Sequence, residues 1–322
     1  MRRKVYLGES LSTLIAMIKE PHPQDLIADL WERGSLLGGI EVCGMEFDRV
    51  PMLSKNLPGL PKLELISVKP AAVFIGSESS YNVRVSRNTD VQRNWLLELS
   101  IGGKIPKKFF NGMFKELRSR VTNERVYDIL SRAELSSRKV RFLRYGTIDY
   151  CKLVSSLPLP YVMGKAVLNS GKTLPLVELN YVSLLVEIAL AEYKIEEYTV
   201  IYVGKSNIIP HTVVLIPLRL FKEDLLSDYV LVYSITSIKR PYRNYKGEYV
   251  DRLLKDVRKL GFQDMRFLCH KLIFEKYGLL GTVGPEVGEV VGTLKDFNVE
   301  LIGRLGTWKE MSIDEILNYV SI

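Results

Sequence analysis

The N-terminus carries the first residues whose spacing suits binding of a charged ligand. A short apolar strand is predicted from Lys4 to Leu7 and is followed directly by Gly8. Apolar residues three and four apart then predict a helix from Ser10 to Lys19. Because the first turn of a helix has unpaired N–H groups and a dipole that favours negative charge, this turn is a predicted anion site.

Candidate catalytic side chains are sparse. The only histidines are His22, His211 and His270, and no Ser-His-Asp, Cys-His or paired-carboxylate spacing can be identified. Hydrolase and glycosidase chemistry is therefore disfavoured. His211, at the start of a predicted strand, has two interpretations, a general acid or base and a structural histidine.

The cysteines do not indicate a metal site. Cys43, Cys151 and Cys269 are far apart, odd in number and without metal-ligand spacing. We predict buried, reduced thiols and no bound metal.

Composition limits the class of protein. The 322 residues are 47% hydrophobic and 25% charged, as in ordinary globular proteins, and this length predicts two lobes. The net charge of +8 favours phosphate-bearing or polyanionic partners, although the basic residues are scattered. No apolar run reaches the ~18 residues of a membrane span, so we expect no span and a cytoplasmic location.

The elements that must position these residues begin with a βαβ unit. A second strand is predicted from Leu26 to Trp31, within about thirty residues of the first. Alternating apolar residues predict strands around Val73 to Ile75 and Val83 to Val85, and 107–131 has a helical pattern. Further strands are predicted within 140–145, 152–155, 177–203, 213–218, 229–235 and 299–302, and helices at 249–260 and 313–319.

Three segments resemble one family of flavoproteins. KVYLGESLSTLIA, DLIADLWERGSLLGG and GMEFDRV resemble the opening of the flavin amine oxidases, protoporphyrinogen oxidase and UDP-galactopyranose mutase. IDYCKLVSSLPLP resembles that family's strand ending in a Thr-x-Pro-like turn, and IGRLGTWKEMSIDEIL resembles the ending of the mutase-like branch. The chain is therefore identified as a shortened and degenerate member of this superfamily.

The resemblance implies an α/β fold with two lobes. A discontinuous Rossmann-like lobe that binds FAD or NAD(P) would comprise 1–58, 118–165 and 262–322. A second, mainly β-sheet substrate lobe would comprise 59–117 and 166–261.

The resemblance also implies a set of FAD-binding residues. Gly8 would allow the tight turn, Glu32 would accept ribose hydroxyls, and Arg304 would bind phosphate. The full set is Gly8, Ser10, Leu11, Glu32, Arg33, Gly38, Gly39, Gly303, Arg304, Trp308, Ile313 and Asp314.

Other interpretations of these residues stay open. The position of Glu32 equally fits an acid exposed to solvent at a strand end. Arg304 equally fits a structural ion-pair partner, and Trp308 fits an aromatic residue of the core.

The turn departs from the family pattern. Ser10 and Thr13 replace the second and third motif glycines, and both changes weaken the expected FAD site. Glu9 would place a negative charge near the diphosphate, where like charges repel.

Three functions follow as hypotheses. The first is an FAD-dependent oxidoreductase of the amine oxidase or galactopyranose mutase class, acting on a small-molecule substrate. The second is a flavin-free scaffold that binds a protein or lipid-like partner, as do the GDP-dissociation inhibitors that resemble this superfamily. The third is a subunit associated with nucleic acid or a larger assembly, suggested by the charge of +8.

Overall fold

A computed structural model describes residues 3–30, 36–57, 63–168, 171–221, 228–238 and 248–319. The strands are β1 (Arg3–Leu7), β2 (Leu26–Asp29), β3 (Ile40–Val42), β4 (Met45–Phe47), β5 (Leu65–Val68), β6 (Ala71–Ile75), β7 (Gly103–Pro106), β8 (Glu124–Tyr127), β9 (Leu130–Glu134), β10 (Lys139–Phe142), β11 (Gly146–Ser155), β12 (Ala166–Val167), β13 (Tyr181–Glu192), β14 (Thr199–Val203), β15 (Thr212–Pro217), β16 (Tyr229–Ile238), β17 (Arg266–Leu280) and β18 (Val299–Leu301). The α-helices are α1 (Leu11–Lys19), α2 (Glu78–Ser86), α3 (Trp95–Glu98), α4 (Phe109–Arg120), α5 (Leu159–Lys165), α6 (Glu248–Arg258), α7 (Glu286–Asp296), α8 (Gly303–Gly306) and α9 (Ile313–Tyr319).

The chain divides into two compact units. Unit 1 comprises Met1–Gly38, Phe114–Leu179 and Thr282–Ile322, and unit 2 comprises Gly39–Met113 and Asn180–Gly281. These ranges differ from the predicted lobes at several boundaries. The segment 262–281, for example, falls in unit 2 because β17 pairs along its length with β13.

Unit 1 is built on a sheet with a parallel core. Strands β11, β1, β2 and β8 are adjacent and parallel, and β18 pairs with β11 in the same direction. The predicted βαβ unit is confirmed, since β1 and β2 pair directly and α1 connects them. The buried face of α1 carries Leu11, Leu14, Ile15 and Met17. This arrangement places the first turn of α1 at the carboxyl edge of the parallel strands.

Unit 2 is built on a six-stranded sheet in the order β17-β13-β16-β15-β14-β6. The β-branched runs that predicted strands from 177 to 235 form β13 to β16, each of which is almost wholly buried. One cluster of buried hydrophobic residues contains Ala189, Val213, Leu215 and Val232 of this sheet together with Val257 of α6. The predicted α/β class with a second, sheet-based lobe is confirmed.

Two predicted elements are wrong. Val83 and Val85 lie in α2, not in a strand, because Ser77 caps a helix whose inner face carries Tyr81 and Val85. The helix predicted over 107–131 ends at Arg120, since the following residues form β8 and β9. Strand β8 extends the parallel sheet by pairing with β2, a long-range interaction that outweighs local helical pattern.

The predicted state of the cysteines is also wrong. Cys43 lies in the turn between β3 and β4, and a disulfide joins it to Cys269 of β17 with a Cα–Cα distance of 6.0 Å. Cys151 is a free thiol, but it is exposed. The two bonded cysteines are 226 residues apart, so spacing gave no indication of the pair.

Two absences hold for the described part of the chain. None of its helices has the length and apolar character that crossing a bilayer requires. It also contains no cluster of three or more His, Cys, Asp or Glu side chains suited to hold a metal ion.

Candidate functional site

The turn between β1 and α1 requires glycine at its first position. Gly8 has a φ of +91°, a conformation that side-chain-bearing residues rarely adopt. A Cβ atom at Gly8 would lie 2.7 Å from Ser156 Oγ, inside contact distance. The Gly8 N–H donates to the Ala28 carbonyl at 2.8 Å and so joins the turn to β2.

Hydroxyl groups take the place of the two missing motif glycines. Thr13 Oγ1 donates to the Gly8 carbonyl at 2.7 Å, and Ser156 Oγ donates to the same oxygen at 3.0 Å. Ser10 is the N-cap of α1, and its Oγ accepts the Thr13 N–H at 3.3 Å. The side chain at Thr13 is accommodated because a small residue, Ser156, lies opposite it.

The charge of Glu9 is compensated within unit 1. Glu9 is 1% exposed. Each of its two carboxylate oxygens accepts a hydrogen bond from a different arginine. Arg118 Nε lies 3.0 Å from Oε2, and Arg125 Nε lies 2.7 Å from Oε1. The repulsion between Glu9 and a diphosphate that the sequence predicted is therefore offset by two guanidinium groups.

Asp29 is the acidic residue at the end of β2. Its Oδ2 accepts the Glu9 N–H at 2.6 Å, and its Oδ1 accepts the Leu30 N–H at 2.6 Å. Asp29 lies within the strand that the sequence predicts from Leu26 to Trp31 and is not among the predicted site residues. Its position after three apolar strand residues was the signal that could have identified it. The predicted ribose acid Glu32, together with Arg33, lies outside the described residues.

Gly303 and Gly306 bring α8 close to this turn. A Cβ at Gly303, where φ is +68°, would lie 2.4 Å from Ser12 Oγ on the first turn of α1. A Cβ at Gly306 would lie 2.5 Å from the Ser155 carbonyl at the end of β11. The structure thus brings Gly8, Ser10 and Gly303 together around the start of α1.

Arg304 and Trp308, two of the predicted cofactor-binding residues, follow Gly303 closely in sequence. Arg304 forms a bidentate ion pair with Glu310, with Nε–Oε2 at 2.6 Å and Nη2–Oε1 at 2.7 Å. Trp308 is 1% exposed and belongs to the core. Both positions suit the structural interpretations that the sequence left open.

The remaining C-terminal candidates lie on α9. Ile313 is buried and begins the helix, and Asp314 lies in its first turn. Ser312 and Glu315 cap this helix reciprocally, since the Ser312 N–H donates to Glu315 Oε2 and the Glu315 N–H donates to Ser312 Oγ.

The boundary along the chain between unit 1 and unit 2 lies between Gly38 and Gly39. Gly38 ends a 3₁₀ turn in unit 1, and Gly39 begins unit 2 with a φ of +73°. A Cβ at Gly39 would lie 2.6 Å from Asn111 Nδ2. Glycine at 39 is therefore explained by close packing against Asn111.

Asp48 anchors the start of α4 in unit 2. Its buried carboxylate accepts the Phe110 N–H at 3.1 Å and the Asn111 N–H at 2.7 Å. Burial raises the pKa of Asp48 to about 7, against the opposite effect of these two donors. Asp48, which lies in the segment GMEFDRV of the resemblance, thus caps a helix.

His211 is built into the core of unit 2. Its Nδ1 lies 2.9 Å from Thr212 Oγ1, and its Nε2 lies 3.1 Å from Ser237 Oγ. Burial, with Arg84 and Arg87 nearby, lowers the pKa of His211 well below its usual range. Both ring nitrogens are hydrogen-bonded, which favours the structural interpretation.

Comparison with known proteins identifies the fold. No family model and no curated protein sequence matches this chain. Among solved structures, reduced UDP-galactopyranose mutase superposes with a TM-score of 0.81 at 9% identity, over 98% of this chain and 92% of that one.

Two further structures support the same fold. A proposed protoporphyrinogen oxidase from Exiguobacterium sp. 255-15 gives a TM-score of 0.72 at 11% identity, over 99% of this chain and 98% of that one. A redesigned putrescine oxidase superposes with a TM-score of 0.63 at 7% identity, over 99% of this chain and 97% of that one. The chain therefore shares the two-lobed α/β fold of these three structures, the fold that the resemblance in its sequence predicted.

Proposed function

We propose that unit 1 binds the adenosine diphosphate half of FAD at the β1–α1 turn and that the protein is an FAD-dependent oxidoreductase of this superfamily. The observation that carries the proposal is the neutralised carboxylate of Glu9. Its two arginine partners remove the strongest electrostatic obstacle to a diphosphate at the turn. The arrangement of a parallel sheet with a glycine turn and a helix N-terminus supports the same ligand.

The first turn of α1 offers donors to such a ligand. The N–H groups of Leu11 and Ser12 have no partner within the helix, because the first residues of any α-helix lack one. Ser10 is the partly exposed residue of this turn, whereas its neighbours Glu9 and Leu11 are buried. A ligand that approaches Ser10 therefore meets main-chain donors and the positive end of the helix dipole.

In this proposal Gly8, Ser10 and Leu11 hold the diphosphate, and the Gly303 backbone closes the other side of the turn. We infer that Asp29, the last residue of β2, is the acid that accepts ribose hydroxyls. A bound flavin would supply the electron-transfer chemistry, while the chain orients it and sets its electrostatic environment.

Restoring the second motif glycine tests the site. We expect Ser10→Gly to bind FAD about tenfold more tightly, because it removes a side chain that crowds the backbone near the diphosphate. The stability loss should be only a few tenths of a kcal/mol, since glycine is a tolerated N-cap. Titration of both proteins with FAD by fluorescence quenching measures the change.

Ser77→Gly is the matched control. Ser77 is the N-cap of α2 and accepts the Ser80 N–H at 3.1 Å, so the substitution removes the same kind of cap away from the turn. It should leave FAD affinity unchanged. Equal affinity of Ser10→Gly and wild type would show that the turn does not contact the diphosphate.

The Arg304–Glu310 pair favours a second candidate, the flavin-free scaffold. A guanidinium already held by a bidentate carboxylate is less suited to bind phosphate. In this alternative the hydroxyls of Ser10, Thr13 and Ser156 simply stabilise the turn, and the protein would not gain thermal stability from FAD. A protein partner would then take the place of the small-molecule substrate.

A further inference from the structure

Strand β6 forms one edge of the six-stranded sheet and is unusually apolar for that position. Its sequence is AAVFI, and Val73 and Phe74 are 47% and 44% exposed. Edge strands in natural proteins commonly carry a charge or a bulge that prevents further pairing. Strand β6 carries neither between Ala71 and Ile75, since it pairs with β14 without a register shift.

The backbone of β6 has a defined set of outward-facing groups. Ala71 N–H donates to the Tyr198 carbonyl and the Ile75 carbonyl accepts from Gly204 N–H, both at 2.8 Å. In a parallel ladder alternate residues face the same neighbour, so Ala71, Val73 and Ile75 bond to β14. The N–H and C=O groups of Ala72 and Phe74 face the opposite side, where no described residue pairs with them.

These groups are arranged symmetrically about Val73. If a second strand of the same sequence runs antiparallel with Val73 opposite Val73, Ala72 of each copy faces Phe74 of the other. Such a pair exchanges two hydrogen bonds, so the two pairs together use all four outward groups on each strand. The outward-facing backbone groups of β6 therefore match those of its own two-fold rotated copy.

The charges flanking the strand are also complementary to a second copy. Exposed Lys69 precedes β6, and exposed Glu78 follows it. The antiparallel arrangement brings Lys69 of one copy near Glu78 of the other, twice. A parallel arrangement would instead align like charges.

We propose that the protein forms a two-fold symmetric dimer through antiparallel pairing of β6 with β6 of a second copy. The pairing makes one continuous sheet from the six-stranded sheets of both copies. The same surface residue meets itself on the axis, as an isologous interface requires.

Introducing a charged side chain at position 73, on the two-fold axis, tests whether the dimer forms. Wild type should sediment as a dimer, and Val73→Lys should sediment as a monomer, because two lysines would face each other across the axis. Val283→Lys is the matched control, since Val283 is another exposed valine at 44%. It should remain dimeric. A monomeric wild type, or equal dimerisation of both lysine variants, would overturn the proposal.

Disulfide trapping tests the register independently. In a background in which the exposed free thiol is removed by Cys151→Ser, Val73→Cys should form an intermolecular disulfide on mild oxidation. Residues opposite each other in a non-hydrogen-bonded antiparallel pair have Cα atoms about 4.5 Å apart, within disulfide reach.

Ala72→Cys is the control for that register. The residue opposite position 72 is Phe74, so the two thiols that this variant introduces are separated by a further two residues along the strand and should not cross-link. A dimeric wild type in which Val73→Cys fails to cross-link, or in which Ala72→Cys cross-links equally, would show a different interface.

Discussion

Arg125→Met should destabilise unit 1 by about 3 kcal/mol. The substitution removes one of the two guanidinium groups that compensate the Glu9 carboxylate, whose side chain is fully buried. Breaking a buried ion pair from one side leaves a charge that water cannot reach, which typically costs about 3 to 5 kcal/mol. We expect the lower end of that range because Arg118 still contacts the other oxygen of Glu9. Chemical denaturation measures the change.

The same variant should weaken FAD binding, since less of the Glu9 charge is then compensated near the turn. Arg120→Met provides the control. Arg120 pairs with Glu116 on an exposed helix face, an interaction worth about 0 to 1 kcal/mol. If both methionine variants cost the same small amount, Glu9 does not depend on Arg125, and the electrostatic basis of the proposed site is lost.

Glu187→Gln should change how the stability of unit 2 depends on pH. Glu187 lies on β13, its side chain is fully buried, and its Oε1 is 2.8 Å from His270 Nδ1. Burial raises the pKa of Glu187 to about 8, and Asp251 adds to the shift. An unfolded glutamate has a pKa of about 4.3, so between these values the folded state holds a proton that the unfolded state has released.

The sign of the effect follows from that difference. The contribution of Glu187 to stability should fall as pH rises from about 5 to 8, by up to about 1.4 kcal/mol per pH unit. Asp48, with a pKa raised to about 7, acts in the same direction. The lowered pKa of His211 acts in the opposite direction below about pH 6.5, so the comparison with the glutamine variant isolates Glu187. Glutamine cannot ionise, so the variant should gain stability relative to wild type as pH rises over this range.

Denaturation curves at several pH values measure the difference between the two proteins. Glu197→Gln is the control, because Glu197 is exposed and the difference from wild type should stay constant with pH. A constant difference for Glu187→Gln as well would contradict the assignment of a raised pKa to this buried carboxylate.

The sequence alone predicted those helices and strands whose local residue pattern agrees with their place in the fold. A glycine after a short apolar strand, followed by a periodic helix, predicted the β1–α1–β2 unit, and β-branched runs predicted β13 to β16. Local pattern failed at Val83 and Val85, where two valines with period-two spacing lie on a capped helix. It failed again after Arg120, where pairing with a distant strand decided the structure.

The electrostatics of the candidate site could not be predicted for a related reason. Glu9 is 109 residues from Arg118 and 116 residues from Arg125, so no spacing connects them. The Cys43–Cys269 bond spans a still longer separation. Arg304 and Glu310 are near in sequence, yet only the folded loop shows that their side chains form a bidentate pair.

The most direct test of the proposed function is the interaction of the purified protein with FAD. Wild type is incubated with excess FAD and desalted, its visible absorption spectrum is recorded, and its thermal unfolding is compared with that of untreated protein. We predict retained flavin bands and a raised unfolding temperature, because a ligand that binds only the folded state must stabilise it. A colourless protein whose unfolding temperature is unchanged by FAD would contradict the proposal and favour the flavin-free scaffold.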